Sequence, residues 1–411
     1  MRGSKVLATG LFFLPFFVEA MQQPLPLFDQ ITVGIENRPE IKAAKQQVEW
    51  FQQNRYGVAY FDEIDFRVGG ITNDKTEYAF RLRPTNPFYY AAGKSMGKLL
   101  ESEAQLKLRE AMQTALFDKI ETWLKIRYVA LQLQETEASV AWRQKWLENM
   151  AQYISEGEFD AEKLLDVELE RIDLAVDRMD LSEELENELA DFLDDPVPAT
   201  VETLAQSLLE SVFPDVALEK LLSTVDELMQ EPSAVSLATE KEQLNVQLTE
   251  SKVLLEKRDW DIGFVQPEWE MEGKERFGLR VGIGIPIFNT NRMQTQNRQL
   301  SLINDKWAEV KARTEWDVKL SAAYEKTLSM AERVKALQEL DVQLDAYRQK
   351  LSAIDPRDVR ESLLKWLKAK EKLRGRVIKD QFLLLSAYLD YLKLKGLLAE
   401  PTALSYFEDI W

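Results

Sequence analysis

Two periods of apolar residues divide this chain. One is a strict alternation. In Arg276–Arg292, RFGLRVGIGIPIFNTNR, the residues Phe277, Leu279, Val281, Ile283, Ile285 and Ile287 are apolar, with Gly278, Arg280, Gly282, Gly284 and Pro286 between them. A period of two is a strand with two unlike faces, here one greasy and one glycine-rich with an arginine. Tyr78–Pro84, YAFRLRP, repeats the pattern: Tyr78, Phe80 and Leu82 against Ala79, Arg81 and Arg83, again closed by a proline. Each of these strands has a predecessor. Ile64, Phe66 and Val68 alternate with Asp65, Arg67 and Gly69 before the turn-like Thr72-Asn73-Asp74-Lys75. Trp260, Ile262 and Phe264 alternate with Asp261, Gly263 and Val265 before Glu272-Gly273-Lys274. Two β-hairpins are therefore predicted, at about 62–84 and 260–287, one in each of two similar halves. Pro267, inside the third strand, predicts a bulge or an early strand end.

The other period is helical and long. From Phe88 to about Tyr153 there is no proline, and the only glycines are Gly93 and Gly97; from Asn289 to about Ser352 there is neither. Uninterrupted runs of ~65 residues extend roughly 100 Å at the helical rise. The second run keeps a heptad, Trp316, Ala323, Met330, Leu337, Leu344 and Leu351, with Leu340 and Tyr347 three residues after two of them. Such a period predicts a left-handed coiled coil. In the first run Leu116, Ile120 and Trp123 step by four and three. Each long helix breaks, at Ser155–Asp160 and Ala353–Asp358, and returns as a second helix to about Asp191 and Ala399. The acids after each break suit the N-termini of the returning helices. Asp194-Asp195-Pro196-Val197-Pro198 reads as a linker, and Val201–Gln230 as a short helical piece closed by Pro232.

Composition then excludes most chemistry. The 411 residues include no cysteine and no histidine. That removes thiol nucleophiles, disulfides, histidine metal sites and Ser-His-Asp triads. A carboxylate-based hydrolase would need a pocket in a compact core, and no catalytic constellation stands out among the acids. No catalytic, cofactor-binding or metal-ligating residue is assigned, and no cofactor is expected.

Met1–Ala20 has Arg2 and Lys5, an apolar core from Val6 to Val18, and Val18-Glu19-Ala20 at its end. This predicts a secretory signal cleaved after Ala20. No later segment is apolar for long enough to span a membrane as a helix, so crossing one requires a closed β-barrel. The formal charge is −18, one unit more negative without that leader. Such acidity argues against nucleic acid as a partner. It suits a solvated surface or a passage that cations enter more easily than anions.

Two hairpins supply four strands, and the smallest transmembrane barrels have eight. Several copies must then share one barrel, two copies making eight strands and three making twelve. On this reading Arg67, Arg81, Arg83 and Arg280 point into the barrel lumen, paired with acids such as Asp65 and Asp261 on neighbouring strands. The competing reading is a periplasmic coiled-coil structural or adaptor protein that forms no channel. It explains the helices and the leader but neither the glycine-lined alternation nor the duplication.

The chain resembles the TolC-like outer membrane efflux proteins over essentially its whole mature length. ENRPEIKAAKQQVEWFQQNRYG (36–57) looks like the family's first helix, and GIGIPIFNTNRMQTQ (282–296) like its strand-to-helix junction. EGEFDAEKLLDVELERIDL (156–174) resembles the segment after the first periplasmic turn, and LLSAYLDYLKLKGLL (384–398) the terminal helix. The resemblance implies a mainly α fold with β: duplicated coiled-coil helical hairpins plus two β-hairpins, whose four strands join a shared trimeric twelve-stranded outer-membrane barrel. It implies a homotrimer in outer-membrane lipid, working with a periplasmic adaptor (membrane fusion) protein and an inner-membrane transporter as the exit duct of a tripartite efflux or type I secretion system. The duct does no covalent chemistry and is gated at its periplasmic helical tip. Carried over by position, Gly157, Glu158 and Asp160 lie in the first tip turn, and Asp355, Asp358 and Glu361 in or just after the second. The expected organisation is a signal peptide (1–20), a first repeat (21–195), a linking equatorial segment (196–234), a second repeat (235–399) and a C-terminal tail (400–411).

Overall fold

The computed structural model describes residues 35, 38–54, 59–72, 75–154, 161–193, 216–230, 236–258, 263–272, 274–283, 292–351, 356–399, 403 and 405–408. The expected leader, the expected first tip turn with Gly157, Glu158 and Asp160, the expected linker and Asp355 lie outside them. In chain order the elements are α1 (Pro39–Gln53), β1 (Phe61–Thr72), β2 (Lys75–Pro84), α2 (Pro87–Ile154), α3 (Ala161–Leu193), α4 (Leu218–Gln230), α5 (Leu237–Arg258), β3 (Phe264–Glu272), β4 (Lys274–Gly282), α6 (Arg292–Leu351), α7 (Pro356–Lys395) and α8 (Ser405–Glu408). The long helices α2 and α6 run 68 and 60 residues. Among the described residues no helix is long and apolar enough to cross a membrane.

Local signals set the helix ends. Pro39, Pro87 and Pro356 each stand first in a helix, where a missing N–H costs nothing. Asn86 caps α2, its Oδ1 accepting the Phe88 N–H at 2.9 Å. Ser236 caps α5, its Oγ accepting the Thr239 N–H at 3.1 Å. Gly396, at φ 79°, stops α7 in a conformation side chains rarely adopt, and a short 3-10 turn follows.

The chain divides into two compact units. One comprises Pro39–Ala111 and Ala234–Lys319, and holds the sheet. Here α5 is tied to α2 by Lys241–Glu110 at 3.1 Å and to α6 by Lys306–Glu250 at 2.9 Å and Arg298–Glu256 at 3.0 Å. The strand-to-helix joint is buried and polar. Thr85 Oγ1 donates to the Ala59 carbonyl, and Asn86 Nδ2 donates to the Arg258 carbonyl at 2.9 Å. The first half's strands are thereby fastened to the second half's helix.

The other unit comprises Met1–Arg38, Met112–Ser233 and Leu320–Trp411. Its core includes the end of α7, where Leu384, Ala387, Tyr388, Tyr391 and Leu392 are fully buried, and Trp123 and Leu124 of α2; Tyr128 of α2 stacks on Phe382 of α7 at 4.8 Å. The tail folds back onto it: Phe407 is buried with its ring 5.7 Å from Tyr388. Burying an aromatic of this kind contributes roughly 1.5–3 kcal/mol. A smaller cluster of Trp146, Met150 and Val167, joined by Leu164 and Leu364, packs near the far ends of the helical hairpins.

The α6 seam departs in part from the heptad read above. Ala323 is buried and Trp316, Met330, Leu337 and Leu344 are half-buried, as expected. Their companions are Leu320, Thr327, Val334 and Asp341, not Leu340 and Tyr347, which are 50% and 62% exposed. The true second position includes a threonine and an aspartate, which hides it from a count of apolar residues.

Candidate functional site

The four strands form one antiparallel sheet in the order β1-β2-β3-β4, so the two hairpins meet at β2–β3 while β1 and β4 are its edges. Register decides the faces. Ile64, Phe66 and Val68 lie opposite Leu82, Phe80 and Tyr78; Tyr78 lies opposite Trp269 and Leu82 opposite Val265; Trp269 and Val265 lie opposite Phe277 and Val281. One face is thus apolar across all four strands; it is half-buried on β2 and exposed on the other three, where Phe66 is 63% and Leu279 59% exposed. A soluble sheet would bury that face against helices or leave it polar.

The opposite face carries all four arginines singled out by the alternation. Arg67 pairs with Asp65 at 2.6 Å, Arg83 with Glu63 at 3.0 Å and Arg280 with Glu268 at 3.2 Å. Arg81 lies opposite Asp65 in register and stacks its guanidinium 3.9 Å over the Phe264 ring. The expected partner Asp65 is therefore present, on the same strand as Arg67; Asp261 lies outside the described residues. Glu63 and Glu268 were not singled out from sequence, although their alternation with Ile64 and Pro267 carried the signal.

The third strand corrects two expectations. The alternation placed Phe264 on the apolar face and Val265 on the other; the sheet has them reversed, with Phe264 paired to Gly282 on the polar face. Gly263, with φ 108°, stands just before the strand, and Trp260 and Ile262, from which the phase was read, lie outside the described residues. The strand also runs through Pro267 instead of ending or bulging. β2 pairs with β3 at Thr76–Ala79 and again at Leu82 in unchanged register, with Pro267, lacking an N–H, in the gap.

Gly263 and Gly282 are required by this packing. A Cβ on Gly263 would sit 1.8 Å from the Gly282 carbonyl oxygen, and one on Gly282 would sit 2.4 Å from the Phe264 ring. Gly263→Ala is expected to abolish recovery of folded protein from membranes. Gly278→Ala, whose nearest neighbour would be Glu268 Cβ at 3.9 Å, is expected to leave recovery unchanged. Heat-resistant folded protein per total protein reads both, and equal yields would refute the assigned β3–β4 geometry.

The second candidate site is a charged layer between the helical hairpins. Arg143 of α2, only 5% exposed, reaches Glu371 of α7 at 2.8 Å and Glu170 of α3 at 3.4 Å. Lys368 of α7 pairs with the same Glu170. Lys370, also buried, holds Asp341 and Asp345 of α6 at 2.7 and 2.8 Å. Burial pushes the Glu135 carboxyl above its ordinary value more than Arg374, 3.4 Å away, pulls it down. Glu135, Asp345, Lys370, Glu371 and Arg374 of this layer border an open-sided cavity of about 740 Å³ whose apolar wall is Trp142, Leu363, Trp366 and Leu367. None of this layer was singled out from sequence; a buried cation amid Trp142 and Trp146 was the available signal. Asp358 and Glu361 lie in the first turns of α7.

This combination of helical hairpins and a shared, two-faced sheet is the fold of the TolC-like outer membrane efflux channels. Among solved structures, the CmeC outer membrane channel of Campylobacter jejuni matches 93% of this chain and 89% of its own at a TM-score of 0.60 and 10% identity. CusC, described in terms of conformational changes accompanying folding and transmembrane channel formation, matches 90% of this chain and 91% of its own at a TM-score of 0.59 and 11% identity. The open state of the MtrE outer membrane channel of Neisseria gonorrhoeae matches 90% and 88% at a TM-score of 0.55 and 12% identity. No protein-family model and no curated protein matches the sequence.

Proposed function

We propose that three copies of this chain form the outer-membrane exit duct of a tripartite efflux or type I secretion system. The observation that carries this reading is the sheet. Its apolar face is exposed on β1, β3 and β4 and half-buried on β2, and β1 and β4 offer unpaired edges within one chain. Lipid covers such a face, and further copies of the same sheet close such edges. Four strands per copy reach a closed barrel of ordinary size at three copies. The face bearing Arg67, Arg81, Arg83 and Arg280 then lines the lumen. Its arginines are largely matched by Asp65, Glu63 and Glu268, so this segment exerts little net field and passes cargo of either sign.

The helical hairpins continue the duct into the periplasm. Gly157, Glu158, Asp160, Asp355, Asp358 and Glu361 belong to its tip, where a periplasmic adaptor engages and an inner-membrane transporter supplies the energy. The layer around Arg143 holds the two hairpins of one copy together, and parting it is the step that dilates the tip.

Light scattering of the mature protein extracted from outer membranes in mild detergent tests the reading. A protein mass three times that of the chain is the expected result. A monomer in the soluble periplasmic fraction would replace the duct with the non-channel coiled-coil reading.

A further inference from the structure

The cavity beside the charged layer is built within one chain. Its walls come from three helices of the same compact unit, α2, α6 and α7. On α2, Glu135, Ala138 and Trp142 follow one another by three and four residues and so share a face. Ala138 makes the gap, because a single methyl group between a carboxylate and an indole leaves room that a larger side chain would fill. On α7, Leu363, Trp366 and Leu367 are half-buried and line the same space. Trp366 Nε1 donates to the Leu344 carbonyl of α6 at 2.8 Å, which fixes its ring. The volume of about 740 Å³ lies within the roughly 300–1,000 Å³ of pockets that take small organic molecules.

The charges around the cavity select the kind of molecule. Each lining carboxylate already has a cation: Glu371 has Arg143 at 2.8 Å, Asp345 has Lys370 at 2.8 Å, and Glu135 has Arg374 at 3.4 Å. Arg348 of α6 differs. It lines the cavity, is exposed, and makes no ion pair among the described residues. Its guanidinium lies 5.1 Å from the centre of the Trp366 ring. An arginine stacked on an aromatic ring keeps its N–H edge free for an anion. The indoles point the same way. Arg143 lies 4.3 Å over Trp142 as Arg348 lies over Trp366, so each ring already carries a cation and offers little to a second.

We propose that this cavity binds a small aromatic carboxylate, its ring among Trp142, Leu363 and Trp366 and its charge on Arg348. The guanidinium fork matches a carboxylate with two parallel hydrogen bonds. The indoles and leucines take the ring out of water, and aromatic pairs add an attraction of their own. An occupant held this way touches α2 of one hairpin and α6 and α7 of the other, beside the Arg143–Glu371 pair. It therefore ties the two hairpins together at the level of the charged layer. The site needs one chain only, so it stands independently of the homotrimer proposed above.

Titration calorimetry of the detergent-extracted protein with cinnamate tests the site, with the heat of adding cinnamate to micelles alone subtracted. Cinnamylammonium, the same framework with the opposite charge, is the comparison. The expected result is saturation at one cinnamate per chain, with the ammonium compound at least about tenfold weaker. Arg348→Gln is expected to weaken cinnamate about tenfold, the loss of one charge-assisted pair. Ala138→Trp, at an exposed position, is expected to abolish binding by filling the gap. Arg376→Gln, an exposed arginine outside the cavity lining, is expected to change nothing. Thermal unfolding of each variant shows whether it folds, and Arg348→Gln keeps the test standing if Ala138→Trp does not. No saturable heat, equal binding of the two charges, or undiminished binding by Arg348→Gln would overturn the site. Binding that behaves as expected supports it whether the protein mass is that of a trimer or of a monomer, the latter removing only the trimer.

Discussion

Phe66→Arg is expected to abolish outer-membrane assembly, and Ala79→Arg to leave it near the parent level. The two sites are on adjacent strands of the same hairpin, Phe66 facing Phe80 across the ladder and Ala79 facing Arg67. They differ in face. An arginine at Phe66 replaces an aromatic on the bare apolar surface, where at the bilayer midplane it costs roughly 2–4 kcal/mol. That cost recurs once per copy, so a trimer bears it three times. An arginine at Ala79 joins the charged face, beside Glu268 in the β2–β3 register. The readout is the fraction of protein recovered as folded, detergent-extracted assembly, normalised to total expression. If Phe66→Arg assembles as well as Ala79→Arg, the apolar face does not meet lipid and the barrel reading fails.

Much of this sheet was legible because its rule is local. A period of two identifies the faces from a handful of residues, and the tight connections at Thr72–Lys75 and around Gly273 fix each hairpin's pairing. The rule failed at the start of β3 because its phase was read from Trp260 and Ile262, whereas the alternation within the strand itself, Val265 and Trp269 against Gln266 and Glu268, gives the observed faces. Pro267 misled in the opposite direction, because only one neighbour loses a hydrogen bond and the other ladder carries the strand through. The long helices were legible from missing glycine and proline. Their partners were less so. Thr327 and Asp341 occupy seam positions that an apolar count passes over, while Leu340 and Tyr347 fit the count and face outward. The charged layer is hardest to read, since Arg143, Glu170 and Glu371 lie far apart in sequence and only the neighbouring Trp142 and Trp146 set Arg143 apart from surface charges.

That layer supplies the other large effect. Glu371→Gln combined with Lys368→Met is expected to raise channel conductance in planar bilayers and to sensitise cells to large polar antibiotics. Both changes cut links between hairpins: Arg143–Glu371 joins α2 to α7, and Lys368–Glu170 joins α7 to α3. Removing one partner of a buried pair costs roughly 3–5 kcal/mol, an upper bound here because Glu170 stays within 3.4 Å of Arg143. The two hairpins then separate at lower cost. Lys370→Met is the control. It removes a cation more deeply buried than Lys368, but its partners Asp341 and Asp345 sit on α6, within the same hairpin as α7. It is expected to lower the thermal unfolding temperature without raising conductance. Exchanging the charges, Arg143→Glu with Glu371→Arg, is expected to restore part of the closed behaviour if the pair acts as a latch. Should both variants destabilise the protein equally and neither conduct more, the layer is structural and the gate lies elsewhere along the helices. A leak specific to the inter-hairpin variant would place the closing force in a contact between the two halves of the duplicated chain, so that duplication would provide two hairpins that part as well as two that pack.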